Sequence, residues 1–469
     1  MDQPSPPSGL RAQLFSGGRT LLGLQVVTVA IKLAGLVFVT NALGAGRYGP
    51  FAAAFGLFSF LLGVGQSGIG VYLTRHDGAL DRRQTGTATL LLLGLAVILL
   101  APVEAGAGLI AGWTRVAGVA PVLRIVMIAL PLQTLSIPAL AALRRNLDLT
   151  GIAVLDLVGQ GACYLLAVPL VWAGAGAEAL AWGVVAQYAV MIVLAQLFAR
   201  QGLVFAWDAA VAARIGRYTL SFSVANYAWQ MRSLAAPFII APLLGGTAVG
   251  IVGMATGIVE ILTSVRTNLW LLAVAALAKV QGDTERLRRA VSEGMELHLL
   301  VLGAVVLGFG WFGGWLVPLT LGPSWLPMFA IYPYVAIFYL TVSTFNMHTA
   351  VLSVLDRNGL LAVYQAVHVL SFFAVTALCA PALGLYGYGV GELASLSTYL
   401  LLHAFVARRI GSPDYRLMGV WSLAVAIGLF WRTLGPWAIA APFLALLWPG
   451  SPRRLGRIWA AATGTVTRP

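Results

Sequence analysis

The sequence predicts an all-α polytopic membrane protein: two pseudo-symmetric six-helix bundles around a central cavity, followed by a C-terminal helix pair, 12–14 transmembrane helices in all. Three observations lead there. Of 469 residues, 59% are apolar and only 10% charged, against about 25% charged in soluble domains, and the mean hydropathy is +0.88. The apolar residues fall into runs long enough to cross a bilayer, which takes about 20 residues as a helix. A glycine-centred turn at 43–49 returns at 244–250, an offset of 201 residues.

The elements follow from the apolar runs. After a polar tail (1–18) come spans at roughly 19–43, 48–74, 85–108, 120–143, 151–173 and 177–199, which make an N-terminal bundle over 19–200. A linker, 201–216, leads to spans at roughly 217–243, 249–279, 295–318, 327–354, 359–380 and 386–407, a second bundle over 217–410. Two shorter runs, 417–431 and 435–449, lie within 411–469 and end in a basic tail. Pro131, Pro138 and Pro169 predict kinked helices. The first apolar run is too long for a signal-peptide core, so no cleavage is expected.

Charge placement sets orientation and excludes several classes. The net charge is +13, but the basic residues are dispersed through short loops with no basic stripe or recognition motif, which argues against nucleic acid as a partner. With odd-numbered spans starting inside, 22 of the 29 Lys and Arg fall on one side, and Arg47, Arg115, Arg124 and Arg432 on the other. The positive-inside rule then puts both termini in the cytoplasm. No loop is long enough to fold as a catalytic domain, and no nucleotide-binding G-x-x-x-x-G-K-[ST] loop is present. Cys163 and Cys379 each sit inside an apolar run, with no disulfide framework and no metal-ligand spacing, so neither a metal nor a cofactor is expected.

The repeated turns read LGAGRYG and LGGTAVG, both L-G-x-x-x-x-G. A Gly-rich turn into a helix also recurs at 172–188 and 382–399. An even number of spans per half implies parallel repeats related by an axis along the membrane normal, with the substrate site between them near the midplane. The run LGAGRYGPFAAAFGLFSFLLGVGQSGIGVYLTR (43–75) resembles the first hairpin of the polysaccharide (O-antigen) flippases, part of the multidrug/oligosaccharidyl-lipid/polysaccharide exporter superfamily. LGPSWLP (321–327) resembles the outer loop that family carries before its tenth helix, and GLYGYGVGELASL (384–396) the start of its twelfth; the likeness runs over about 15–410. The resemblance implies a flippase of the bacterial cytoplasmic (inner) membrane. Its substrate would be an undecaprenyl-diphosphate-linked oligosaccharide, moved from the inner to the outer leaflet. Implied partners are that lipid-linked substrate, membrane lipids, a proton or sodium ion, and a polysaccharide polymerase or assembly machinery.

Three cations lie inside spans: Lys32, Arg232 and Arg266. A lone cation in hydrocarbon costs from roughly 3 to more than about 10 kcal/mol, so each is expected to face a wet, protein-lined interior. Lys32 lies 12 residues before Gly44 and Arg232 13 before Gly245, near-equivalent places in the repeat. Gln25, Thr28, Lys32 and Gly35 share one face of the first helix, and Ser223, Asn226, Gln230 and Ser233 one face of the seventh. On the eighth, Thr256, Glu260, Thr263 and Thr267 form a stripe beside Arg266. Glu260 either neutralises Arg232 or takes and releases a proton, and Glu392 is the other coupling-ion candidate. His348 and His368 read as hydrogen-bonded structure. By helix count, Lys32 and Arg266 match the cavity cations of the related lipid II flippases. An excess of buried positive charge suits a diphosphate. A multidrug exporter of the same superfamily would want the reverse excess, a membrane polymerase or ligase would need larger outer loops, and a non-transporting scaffold would use its polar stripes for packing alone.

Overall fold

The computed structural model describes residues 8–75, 81–200, 202–452, 454–456 and 460, with the backbone alone for 8–22, 67, 220–226, 267–269, 271, 272 and 275. Among the described residues the regular structure is entirely helical. Nine helical runs among the described residues are long and apolar enough to cross a membrane, and shorter apolar helices accompany them. The chain divides into two compact units, Met1–Gly250 and Ile251–Pro469.

The first unit opens with α1 (Ser8–Arg75), which holds the first two predicted spans. A straight helix of 68 residues would run about 100 Å, roughly three times the hydrocarbon core. It is parted at Gly44, whose φ of +64° is left-handed, a conformation only glycine adopts freely. Next come α2 (Arg82–Thr114), α3 (Val119–Met127), α4 (Ala129–Arg145), α5 (Leu149–Trp172), α6 (Glu178–Ala199) and α7 (Ala209–Gln230). The fourth predicted span is thus two helices that meet at Ile128. Aspartates begin four helices of the protein. Asp81 forms a capping box with Gln84 at α2, and the side chains of Asp148, Asp208 and Asp283 each accept from backbone N–H groups of the following turn. The first unit's core joins Leu73, Leu92, Ile137 and Ile215 from four helices. Because α7 packs on α1, the seventh span belongs to this unit.

The seventh span does not stay α-helical. After α7 the chain tightens into a 3₁₀ turn, Met231–Leu234, widens into a π segment, Ala236–Ile240, and closes with α8 (Ala241–Leu244). Two prolines account for this. Pro237 and Pro242 have no N–H to give to the carbonyls of Ser233 and Phe238 four residues back. The Phe238 carbonyl accepts from Trp113 Nε1 at 3.2 Å instead. Gly245, φ +83°, then turns the chain as Gly44 does. The two turns also touch. A Cβ on Gly49 would lie 2.2 Å from the Gly246 carbonyl oxygen, and one on Gly250 2.4 Å from that of Ala45. With the repeat offset of 201, Ala45 corresponds to Gly246 and Gly49 to Gly250. Each contact is therefore the counterpart of the other, the pattern of a two-fold.

The second unit contains most of α9 (Gly246–Leu262), then α10 (Arg266–Ala278), α11 (Thr284–Thr320), α12 (Tyr332–Val354), α13 (Asn358–Leu383), α14 (Leu385–Ser395) and α15 (Tyr399–Ile410). The eighth predicted span is broken at 263–265. There the Thr263 hydroxyl and N–H both reach the Val259 carbonyl, at 2.7 and 2.9 Å, a side-chain back-bond that bends helices. The core joins Leu277, Val291, Met295, Val351, Tyr364 and Leu402. The C-terminal runs form α16 (Arg416–Leu429), α17 (Trp431–Leu434), a 3₁₀ turn and α18 (Ala440–Ala445), each short of a full crossing. Two indoles pin them to α11: Trp311 Nε1 donates to the Gly428 carbonyl at 2.9 Å, and Trp431 Nε1 to that of Gly310 at 3.3 Å.

Candidate functional site

Arg266 is the first residue of α10, immediately after the break in the eighth span. Its guanidinium lies over the ring of Tyr339 on α12, 4.8 Å from the centroid. The Tyr339 hydroxyl in turn donates to Glu260 Oε1 at 2.6 Å. Glu260 is exposed and Arg266 half-buried. One guanidinium nitrogen, Nη1, is buried without a hydrogen-bond partner among the described residues. The three residues thus form a relay in which the carboxylate fixes the phenol, the ring face holds the arginine, and one arginine donor is left for an acceptor. A cation over a tyrosine face is stabilised by about 0.5–2 kcal/mol, more when desolvated.

Lys32 lies half-buried on the first segment of α1, which packs against α5. Its ammonium acts electrostatically on Asp156 and on Cys163, both of α5. Arg144 on α4 also acts on Asp156. Gly35, one helical turn on, gives the Tyr164 ring room; a Cβ there would lie 2.1 Å from it. Thr28 is buried and its hydroxyl donates to the Leu24 carbonyl at 2.9 Å, so its own helix satisfies it; Gln25 is half-buried.

Arg232 sits in the 3₁₀ turn after α7, half-buried, with its guanidinium 5.6 Å from the Trp229 ring centroid. Gln230 lies against a notch at Gly63, where a Cβ would come within 1.9 Å of its side-chain amide. Thr263 is buried and back-bonded, as described above. The side chains of Asn226 and Thr267 lie outside the described residues. Glu392 is fully buried on α14. The structure therefore brings together Glu260 and Arg266, through Tyr339, while Lys32 and Arg232 have different neighbours. Two site residues escaped the sequence reading. Asp156 is a lone acid in an apolar run and carries no periodic signal, although its place in a span was itself the cue used for Lys32. Tyr339 has no sequence signature at all. A cavity of about 650 Å³ lies elsewhere in the second unit, lined by Glu296, Asp414, Arg416, Trp448 and Arg454 among others, and contains none of the predicted site residues.

Broken spans that carry charged side chains are tolerated at membrane depth only where protein or a wet cavity surrounds them. A multidrug resistance MATE family transporter of the MOP superfamily, in an inward-facing conformation, superposes with a TM-score of 0.67 at 13% identity over 83% of this chain and 98% of its own. Lipid II flippase MurJ, in an inward closed conformation, gives 0.68 at 10% identity over 94% and 99%. An outward-facing MATE family transporter gives 0.58 at 15% identity over 87% and 99%. At these identities the likeness establishes the fold alone, the one these three proteins share. No curated protein matches significantly. The chain belongs to the polysaccharide biosynthesis protein family, whose model matches residues 42–330.

Proposed function

We propose that the protein is a flippase that moves an undecaprenyl-diphosphate-linked oligosaccharide from the inner to the outer leaflet by alternating access, driven by an ion gradient. MATE transporters and MurJ share the fold, so fold alone does not choose between drug and lipid cargo. The observation that carries the choice is Arg266, held against Tyr339 with a buried donor unfilled. That donor suits an anionic oxygen, and a guanidinium is shaped for phosphate. Family membership supports a polysaccharide cargo. On this reading Lys32 and Arg232 supply further positive charge for the diphosphate, and Gln25, Thr28, Asn226, Gln230, Thr263 and Thr267 line the path. Glu260, Glu392 and Asp156 are the carboxylates from which a coupling proton or sodium site would be drawn. The bacterial cytoplasmic membrane, with both termini inside, is the proposed location, and a polysaccharide polymerase the proposed partner downstream.

The test is complementation of surface polysaccharide in a flippase-deficient strain. Lys32→Ala, Arg232→Ala and Arg266→Ala should each sharply reduce export at unchanged expression. Full activity of the triple alanine variant would overturn the anionic-site reading.

A further inference from the structure

Tyr415 lies between two histidines that the cargo site does not use. Its hydroxyl oxygen is 2.6 Å from His348 Nε2 and 2.7 Å from His403 Nδ1. The three side chains come from three elements: His348 from α12, His403 from α15, and Tyr415 from the loop that leads into α16. The His348 and Tyr415 rings stack, with Phe345 packed against both. His348 is fully buried and its Nδ1 has no hydrogen-bond partner among the described residues, whereas His403 and Tyr415 are half-buried. Burial raises the Tyr415 phenol, which therefore keeps its proton.

The titratable neighbour that acts on His348 is His403. The packed elements bring further charges to this end of the unit. Glu293 and Glu296 on α11 are both engaged by Arg454. Asp414 and Arg416 flank Tyr415, with the Asp414 N–H bonded to Ser292 Oγ at 2.9 Å. Arg408 and Arg409 are exposed in the last turn of α15, and Lys279 is exposed after α10.

A phenol has one proton. Set between two ring nitrogens, it donates to one and accepts from the other. With both rings neutral, His348 can give Nε2–H to the tyrosine oxygen while the tyrosine gives its proton to His403 Nδ1. His348 Nδ1 is then a bare buried acceptor, which proteins tolerate better than a buried orphan N–H. A charged His403 forbids this arrangement, because both of its nitrogens are donors. The tyrosine oxygen must accept from Nδ1, and its own proton has only His348 Nε2 to go to. His348 must then carry its proton on Nδ1, buried and with no acceptor. The closed contact and the charged ring oppose each other, and by linkage each weakens the other.

We propose that His348, Tyr415 and His403 form a proton-binding clasp: His403 takes one proton from the loop side, and its uptake releases Tyr415 from His348, freeing the 411–415 loop from α12. No covalent bond breaks; one proton is taken from solvent and one hydrogen bond between loop and helix is lost. The clasp is separate from the cargo site, and its tests need no cargo, so their outcome does not touch the flippase reading.

The test uses the full chain in detergent micelles with ring-labelled histidine, titrated by NMR. In Tyr415→Phe, which removes one oxygen, His403 should titrate higher than in the parent, by about one unit if one hydrogen bond's worth of opposition is removed. In the parent, the His348 resonance should move over the same interval as His403. Assignments come from His348→Gln and His403→Asn. A spin label at position 412, in a Cys163→Ala, Cys379→Ala background, should gain mobility as the solution is acidified through the histidine range, and His403→Asn should abolish that gain. Identical His403 titration in the parent and Tyr415→Phe would overturn the proposal, as would a spin label whose mobility ignores pH.

Discussion

At the scale of single residues, the site depends on what holds each charge. Arg266 is oriented by a ring face, not by a salt bridge, so the phenol oxygen and the ring should separate on mutation. Tyr339→Phe keeps the face and loses only the bond to Glu260; export should fall less than in Tyr339→Ala, since the ring that holds Arg266 is still present. Tyr339→Ala removes the face and should approach Arg266→Ala. That variant forfeits a charged hydrogen bond of about 1.5–3 kcal/mol, roughly tenfold to a hundredfold in apparent affinity. Uptake of labelled lipid-linked oligosaccharide by proteoliposomes measures all three, and a Tyr339→Phe variant as damaged as Tyr339→Ala would show that the phenol oxygen, not the face, does the work. Glu260→Gln separates its two roles: normal folding with loss of gradient-driven transport marks a proton carrier, poor folding a structural acceptor for Tyr339. The same logic reaches Lys32. Asp156 stands within electrostatic reach of it, so the lysine is not the lone cation that its sequence position suggests. Asp156→Asn should leave Lys32 less compensated and lower expression, while Lys32→Met with Asp156→Asn should recover it, because removing both charges avoids leaving one buried alone.

At the scale of elements, glycine and aspartate do the placing. The L-G-x-x-x-x-G turns were legible because left-handed backbone leaves a mark in sequence, and both Gly44 and Gly245 are left-handed. The break at 263–265 was not legible. It contains no proline or glycine, and a threonine back-bond looks like any other threonine in a string of letters. Gly49 and Gly250 make the symmetric approach to Gly246 and Ala45 possible, and there a side chain would meet backbone that cannot step aside. Gly49→Leu or Gly250→Leu should therefore prevent the two turns from closing. Cross-linking of cysteines placed at 46 and 247, where a Cβ on Gly46 would lie 3.6 Å from Thr247 Oγ1, should fall sharply in either variant; undiminished cross-linking would deny that these glycines set the approach. On the loop before α7, the Asp208 carboxylate accepts from the N–H groups of Val211 and Ala210 and is held below the ordinary carboxylate range, first by those bonds and then by Arg83 and Arg214. The sign follows from that lowering. The cap's contribution is present above the unfolded value and is lost as pH falls through the lower folded value. Protection of the Ala210 and Val211 amides, taken relative to the intrinsic exchange rate at each pH, should fall in acid, and Asp208→Ala should show the low protection at every pH.

At the scale of the whole molecule, the sequence carried the helical class and the apolar runs, because hydrocarbon demands long apolar helices wherever the chain crosses. The two shorter runs, 417–431 and 435–449, form short helices, and Gly435, Pro436 and Pro442 divide the second into a 3₁₀ turn and a short helix. Orientation is the property on which the proposed direction of flipping depends, and two independent signals bear on it. Basic residues gather in the loops around 75–83, 144–145, 200–217 and 279–289. The aspartates that begin α2, α5, α7 and α11 occupy those same loops, so each of these loops carries a helix cap as well as cations. Arg47 stands exposed at the opposite end of α1's second segment from Arg75. If the basic loops are cytoplasmic, position 47 faces outward. Cysteine at 47, in a chain whose Cys163 and Cys379 are replaced by alanine, should react with an impermeant reagent in intact cells, and cysteine at 83 or 145 only after permeabilisation. Arg432 and Arg289 provide the same pair of readings for the second unit. The reverse pattern at either pair would invert the orientation, and with it the assignment of which leaflet loads the substrate.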